Sequence, residues 1–149
     1  MRANELCSLT LDDIDAKNSR LKVMGKGAKE RYIPYSPRTG QVLWRYMLKR
    51  KSDFTNRLFI NLTGEPIVRD RLLKQLRSIG NRAKVPNVHP HRFRHTFAIN
   101  YLRNGGDPYT LKMILGHSTL TMVYHYLAIA QSDVDARHRL ASPVMHMHL

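Results

Sequence analysis

Apolar residues recur along the chain with two different periods, and the period changes at identifiable turn residues. Ala3, Leu6 and Cys7, with Leu9 or Thr10, fall on one face at helical spacing, which predicts a short helix over 2–9. From Asp12 the spacing shortens. Ile14 sits in a brief run, and Arg20-Leu21-Lys22-Val23-Met24 alternates polar and apolar residues before the tight turn Gly25-Lys26-Gly27. Arg31-Tyr32-Ile33-Pro34-Tyr35 supplies a return strand, and Pro34 places it at a sheet edge or close to its own end. A small antiparallel hairpin or three-stranded sheet is the expectation.

Helical spacing then returns and holds to the end. Ser36 as N-cap and Pro37 in the first helical position open a helix that runs to about Lys51, with Val42, Leu43, Tyr46 and Met47 as its apolar stripe. Arg57-Leu58-Phe59-Ile60 is a short buried stretch, and Asn61 to Pro66 is a turn. A helix from about Val68 to Ala83 turns Leu72, Leu73, Leu76 and Ile79 inward. Val85 to Pro90 breaks the chain. The next helix runs from His91 to Asn104, closed by Gly105-Gly106, and another starts at Asp107-Pro108 and ends at Gly116 with Leu111, Ile114 and Leu115 inward. Two last helical segments are expected, from about Thr119 to Ala130 and from Ser132 to Arg139. The fold class predicted is α+β, predominantly helical, with a small antiparallel sheet. At 149 residues, 1–149 reads as a single domain.

Composition changes this picture mainly through charge. Hydrophobic residues make up 42% and charged residues 24%, ordinary values that exclude wholesale disorder and a collagen-like repeat. Against 11 Asp and Glu stand 25 Lys and Arg, a formal net charge of +14, which points to a polyanionic partner: nucleic acid first, an anionic membrane surface second. No apolar run approaches the roughly 18 residues that span a bilayer. No helix combines a wide apolar face with a lysine-rich one, so a membrane partner is the weakest reading. The first residues lack the apolar core of a secretory signal, and the single cysteine, Cys7, forms no internal disulfide, so a reducing cytoplasm is the expected compartment.

The histidines are concentrated at and after position 89. His91 and Arg94 stand three apart at the start of one helix, where the positive end of the peptide dipoles favours a phosphate. Taken alone, such a pair is more often a cap and a solvated or structurally bonded arginine. His117 follows Gly116 at a helix end, a position that can hold a ring over a cleft, although most such residues are turn histidines. Tyr126 and Tyr124 share one helix but point to different sides. Lys26 projects from a hairpin tip, where an exposed mobile charge is the ordinary finding. The tail histidines His146 and His148 make a poor metal site, because two ligands on a chain end do not complete a coordination shell. Together, however, these groups include everything that metal-free phosphodiester cleavage needs: a hydroxyl nucleophile, cations for the non-bridging oxygens and an acid for the leaving oxygen.

The order Arg, Lys, His-x-x-Arg, His, Tyr resembles that of the tyrosine recombinase (phage integrase) family. Arg2-Ala3-Asn4-Glu5 is similar to its first arginine motif, Gly25-Lys26-Gly27-Ala28-Lys29-Glu30-Arg31 to its lysine hairpin, and His91-Arg92-Phe93-Arg94-His95-Thr96 to its most diagnostic box. Leu115-Gly116-His117-Ser118 with Tyr126 nine positions after the histidine resembles the last. The resemblance implies the C-terminal catalytic domain of a DNA recombinase or integrase, cleaving and rejoining double-stranded DNA through a 3′-phosphotyrosyl intermediate without metal or other cofactor. It implies Tyr126 as nucleophile, with Tyr124 as second candidate, and Arg2 and Arg94 on the non-bridging oxygens. Lys26 is then the acid for the leaving 5′ oxygen, His91 the proton-transfer partner and His117 a phosphate donor, with Glu5 and His95 in support. Self-association as a tetramer on DNA, a monomer alone, and a cytoplasmic, nucleoid-associated location follow by the same resemblance.

Two departures from the family pattern keep an alternative open. Arg2 is the second residue, so the chain is expected to be truncated at its N-terminus, without the core-binding domain and first helices. His125 also stands where arginine is common. A truncated relative that holds DNA as a binding module without turnover is the alternative, and a histidine-based metal nuclease fits less well because no Asp or Glu lies close to His91 or His117.

Overall fold

The computed structural model describes residues 1–25, 27–51 and 54–141. The described backbone gathers into two compact units that divide after Phe93, with the boundary falling inside one helix.

The first unit opens with α1 (Ala3–Ser8), a 3-10 turn at Leu11–Asp13 and the strands β1 (Ile14–Asp15), β2 (Arg20–Met24) and β3 (Glu30–Pro34). The strands form one antiparallel sheet in the order β1-β2-β3, with Leu21 facing Ile33 and Val23 facing Arg31 across the hairpin. Of the two sheet forms expected, the chain takes the three-stranded one. Pro34 lies on the edge strand opposite Arg20, where its missing N–H costs no ladder bond that the sheet needs. The guanidinium of Arg20 lies 4.1 Å from the centre of the Tyr32 ring.

Helix α2 (Pro37–Lys49) starts as its sequence requires, with Pro37 in the first turn and the Thr39 N–H donating to Ser36 Oγ at 3.2 Å. Its Tyr46 hydroxyl donates to the Leu58 carbonyl and accepts from the Ile60 N–H, both at 3.0 Å, which pins the short stretch Arg57–Ile60 beneath the helix. Leu58 also donates its N–H to the Leu9 carbonyl at 2.8 Å. The core of this unit is therefore Leu9, Val23 and Leu58, all buried, with Leu43, Tyr46, Met47 and Ile33 packed around them. Val42, expected in the stripe, is 61% exposed, because the interior contacts on this helix are taken by Leu43, Tyr46 and Met47.

Helix α3 (Arg69–Arg82) follows, and Gly80 near its end is buried under Val85 and Val88. Ile79 is exposed rather than inward. It stands next to the position where the following segment folds back onto the helix, and Gly80, having no side chain, takes that contact.

Helix α4 (Pro90–Arg103) carries the boundary between the units after Phe93. In the second unit α5 (Pro108–Leu115) begins at Asp107, whose carboxylate accepts from the Thr110 N–H at 2.6 Å, and ends at Gly116. Gly116 adopts the left-handed conformation, φ +66°, and its N–H and that of His117 close back on Met113 and Lys112. Helix α6 (Thr121–Ala141) is continuous. The two segments expected here are one helix, because neither proline nor glycine interrupts Ile129 to Asp133 and the helical ladder runs on through it. Ala98, Leu111, Leu115, Val123 and Tyr126 form the buried core of this unit.

Candidate active site

In the first unit the site grows from α1. Its first turn is a reciprocal cap in which the Arg2 N–H donates to Glu5 Oε2 at 2.6 Å. The Arg2 guanidinium returns to the same carboxylate, donating to Oε1 at 2.9 Å. Arg31 completes the arrangement with a two-pronged contact, Nη2 to Oε2 at 2.7 Å and Nη1 to Oε1 at 3.1 Å. Burial pushes the Glu5 carboxyl up, but hydrogen bonds from Arg31 and from the Arg2 N–H and side chain outweigh it, and the group titrates at about 2. Glu5 is thus an anion throughout the neutral pH range.

Arg2, Arg69, His89 and His91 line one cleft of about 670 Å³. Arg69 opens α3, while His91 lies in the first turn of α4 with His89 just ahead of it. Two helix starts therefore line the cleft together with the Arg2 and Arg69 guanidinium groups, a setting that favours an anion. The His89 and His91 ring centres are 6.5 Å apart, and both residues are exposed. Arg69 and His89 were not singled out from the sequence. A basic residue opening a helix and a histidine two before another were the available signals, and each is common on ordinary surfaces. Lys26, expected as the leaving-group acid, lies outside the described residues, as do the tail histidines His146 and His148.

In the second unit two of the predicted residues, Arg94 and His95, lie beside Tyr126. Arg94 is buried on α4 and donates from Nη2 to the Leu115 carbonyl at 2.6 Å, satisfying a carbonyl at the end of α5 that has no partner within the helix. The same bond ties Arg94 to the turn that carries His117, which is half-buried directly after Gly116. Tyr126 is 2% exposed, with its ring edge-on to His95 at 5.4 Å and His125 at 6.3 Å. Burial pushes its phenol up, and the positive charge of Arg94 pulls it part of the way back. Tyr124, two positions earlier, is 60% exposed and belongs to no buried cluster. The two tyrosines thus differ in surroundings: Tyr126 is buried beside Arg94 and His95, and Tyr124 is exposed.

The pattern matches the model of the phage integrase family over residues 1–133. The chain belongs to the phage integrase family. Among its relatives, it is 33% identical to the tyrosine recombinase XerC of Staphylococcus carnosus, with 96% of this chain and 50% of that protein aligned. It is also 33% identical to the tyrosine recombinase XerD of Pseudomonas aeruginosa, across 93% of this chain and 49% of that protein. This integrase-family chain therefore spans about half the length of the curated relatives it matches. Its fold superimposes on the crystal structure of XerA recombinase with a TM-score of 0.80 at 27% identity, over 95% of this chain and 53% of that one. A pre-cleavage complex of the XerH site-specific recombinase with its difH substrate matches with a TM-score of 0.72 at 27% identity, over 85% of this chain and 38% of that one. The helical, small-sheet fold expected from the sequence is the fold of this family. Among the described residues no helix is long and apolar enough to cross a membrane.

Proposed function

We propose that residues 1–149 act as the catalytic domain of a site-specific DNA recombinase or integrase, with double-stranded DNA as substrate and a tetramer on DNA as the working assembly. The observation that carries the reading is the setting of Tyr126: a buried phenol beside Arg94 and His95, within the residues that match the family model. In the proposed reaction the Tyr126 oxygen attacks the scissile phosphorus, a new O–P bond forms and the bond from phosphorus to the 5′ oxygen breaks. The phenol proton passes to His91, and the electron pair left on the 5′ oxygen takes a proton from Lys26. Arg2, Arg94 and His117 stabilise the charge that builds on the non-bridging oxygens, with Glu5 orienting Arg2 and His95 flanking the Tyr126 ring. The bond energy stays in the tyrosyl ester, so a second 5′-hydroxyl reverses the step without ATP.

Trapping the ester tests this directly. The protein is incubated with a pool of duplexes carrying 5′-bridging phosphorothiolates, in EDTA, and run on a denaturing gel beside Tyr126→Phe and Tyr124→Phe. The expected result is a slow-moving protein–DNA band that survives EDTA and is absent only from Tyr126→Phe. A folded, DNA-binding wild type that gives no band supports the DNA-holding module instead, and a band lost only in Tyr124→Phe moves the nucleophile.

A further inference from the structure

Glu5 is one anion shared by two guanidinium groups, and the two are unequally placed. The Arg31 side chain is 13% exposed and meets the carboxylate with both prongs, whereas the Arg2 side chain is 40% exposed and meets it with one guanidinium nitrogen. Arg31 stands on β3 opposite the buried Val23, four positions after Gly27. Its Nη1 lies 3.2 Å from the place a Cβ would take on Gly25, so any larger residue there would crowd the guanidinium.

The charge count gives the consequence. An Arg2–Glu5 pair by itself is neutral and offers a phosphate only a dipole. Adding Arg31 makes the group +1, and because Arg31 is enclosed and doubly bonded, the accessible part of that charge is on Arg2. Glu5 can then hold Arg2 in place without cancelling it.

We infer that Arg31 is a positioning residue for DNA cleavage: through the Glu5 carboxylate it fixes Arg2 in orientation and leaves it net cationic toward the scissile phosphate. The inference rests on the recombinase reading for the identity of the phosphate, but not for the link from Arg31 through Glu5 to Arg2.

Two measurements separate the claims. The first uses the DNA sequence recovered from the trapped wild-type adduct, resynthesised with either the native phosphate or a neutral methylphosphonate at the mapped bond. Arg31→Met is expected to slow adduct formation on the native phosphate on the order of tenfold, less than the roughly 10²–10³ that follows loss of a donor itself. It should react with the methylphosphonate at the wild-type rate, because no non-bridging charge then needs Arg2. Arg31→Lys, which restores the charge without the two-pronged geometry, should fall between. Equal slowing on both substrates marks a purely structural role and overturns the inference.

The second measurement needs no activity: NMR of the Arg2 side-chain Nε–H and the Glu5 carboxyl carbon in the full chain. Arg31→Met should shift the Arg2 signal and move the Glu5 titration to higher pH. If both stay as in wild type, the link is refuted whatever the protein does to DNA. If Arg31→Met does not fold, Arg31→Lys carries both tests, and wild-type behaviour in it on every readout overturns the need for the two-pronged contact. A wild type that forms no adduct while the NMR link is present defeats the recombinase reading alone.

Discussion

In the proposed reaction Tyr126 has to serve as a core side chain and as a nucleophile, and the two roles pull its phenol in opposite directions. Burial holds the proton on, and Arg94 loosens it only in part, so at neutral pH the attacking group is a neutral phenol that needs a base. The leaving side has the converse problem. An alkoxide is a poor leaving group unless it is protonated, whereas a thiol ionises near pH 8.5 and leaves unaided. Lys26→Ala is therefore expected to lose about 10²–10⁴ in cleavage rate on a native phosphodiester and to approach wild type on the 5′-bridging phosphorothiolate. Single-turnover rates on the two substrates decide it, and equal loss on both would remove Lys26 from the acid's role. Glu5 supplies a stability test. Its folded value of about 2 lies below its ordinary 4.5, so its stabilisation is complete above pH 4.5 and lost as pH falls through 2. Urea midpoints measured from pH 5 to pH 2 should drop more steeply in wild type than in Glu5→Gln, and parallel curves would contradict the assignment. At this scale the sequence showed which residue types were present and in what order, but not their surroundings. Arg31 illustrates the gap. It sits at an inward position of the alternating strand Glu30–Pro34, and only the tertiary pairing with Glu5 reveals why a charge belongs there.

At the scale of elements, what was legible was written in local chemistry. The Ser36-Pro37 and Asp107-Pro108 starts and the Gly116 stop each have a cap that acts within a few residues, so each boundary falls close to where the sequence puts it. Where no local signal exists, sequence and structure part: nothing local marks that α6 simply continues through 129–133, and helical spacing does not show that the chain folds back beside Ile79. That fold-back gives a prediction. A Cβ on Gly80 would lie 2.6 Å from Val88 Cγ2 and 3.1 Å from the Val85 carbonyl oxygen. Helix propensity alone favours Gly80→Ala by up to about 1 kcal/mol, but the overpacking penalty of roughly 1–3 kcal/mol is larger. The substitution should therefore lower the unfolding free energy, and Gly80→Ala combined with Val88→Ala should recover part of the loss. A more stable Gly80→Ala in denaturant titrations would show that the 85–88 segment does not press on α3. Because this contact lies just ahead of Pro90 and His91, it also bears on how the start of α4 is held.

For the whole molecule the governing quantity is charge. With 25 Lys and Arg against 11 Asp and Glu, internal pairing cannot neutralise the surface, and Glu5 and Asp15 already engage three of the arginines without exhausting the excess. If duplex DNA is the partner, as proposed, binding comes largely from releasing condensed counterions, so log K should fall linearly with log salt at about −0.9 per phosphate contacted. If six phosphates are engaged, the slope is about −5 and affinity falls roughly 10³-fold between 50 and 200 mM salt. Arg69→Ala, at the mouth of the cleft that holds Arg2 and His91, should make the slope shallower by about one unit, because one cation on the phosphate path is gone. Fluorescence anisotropy on a labelled duplex across that salt range measures both slopes. A wild-type slope shallower than about −1 would separate the net charge from DNA binding and leave the basic surface for another anion. An unchanged slope in Arg69→Ala would move the phosphate path away from the cleft. The two results are independent, so the charge argument and the placement of the site can fail separately.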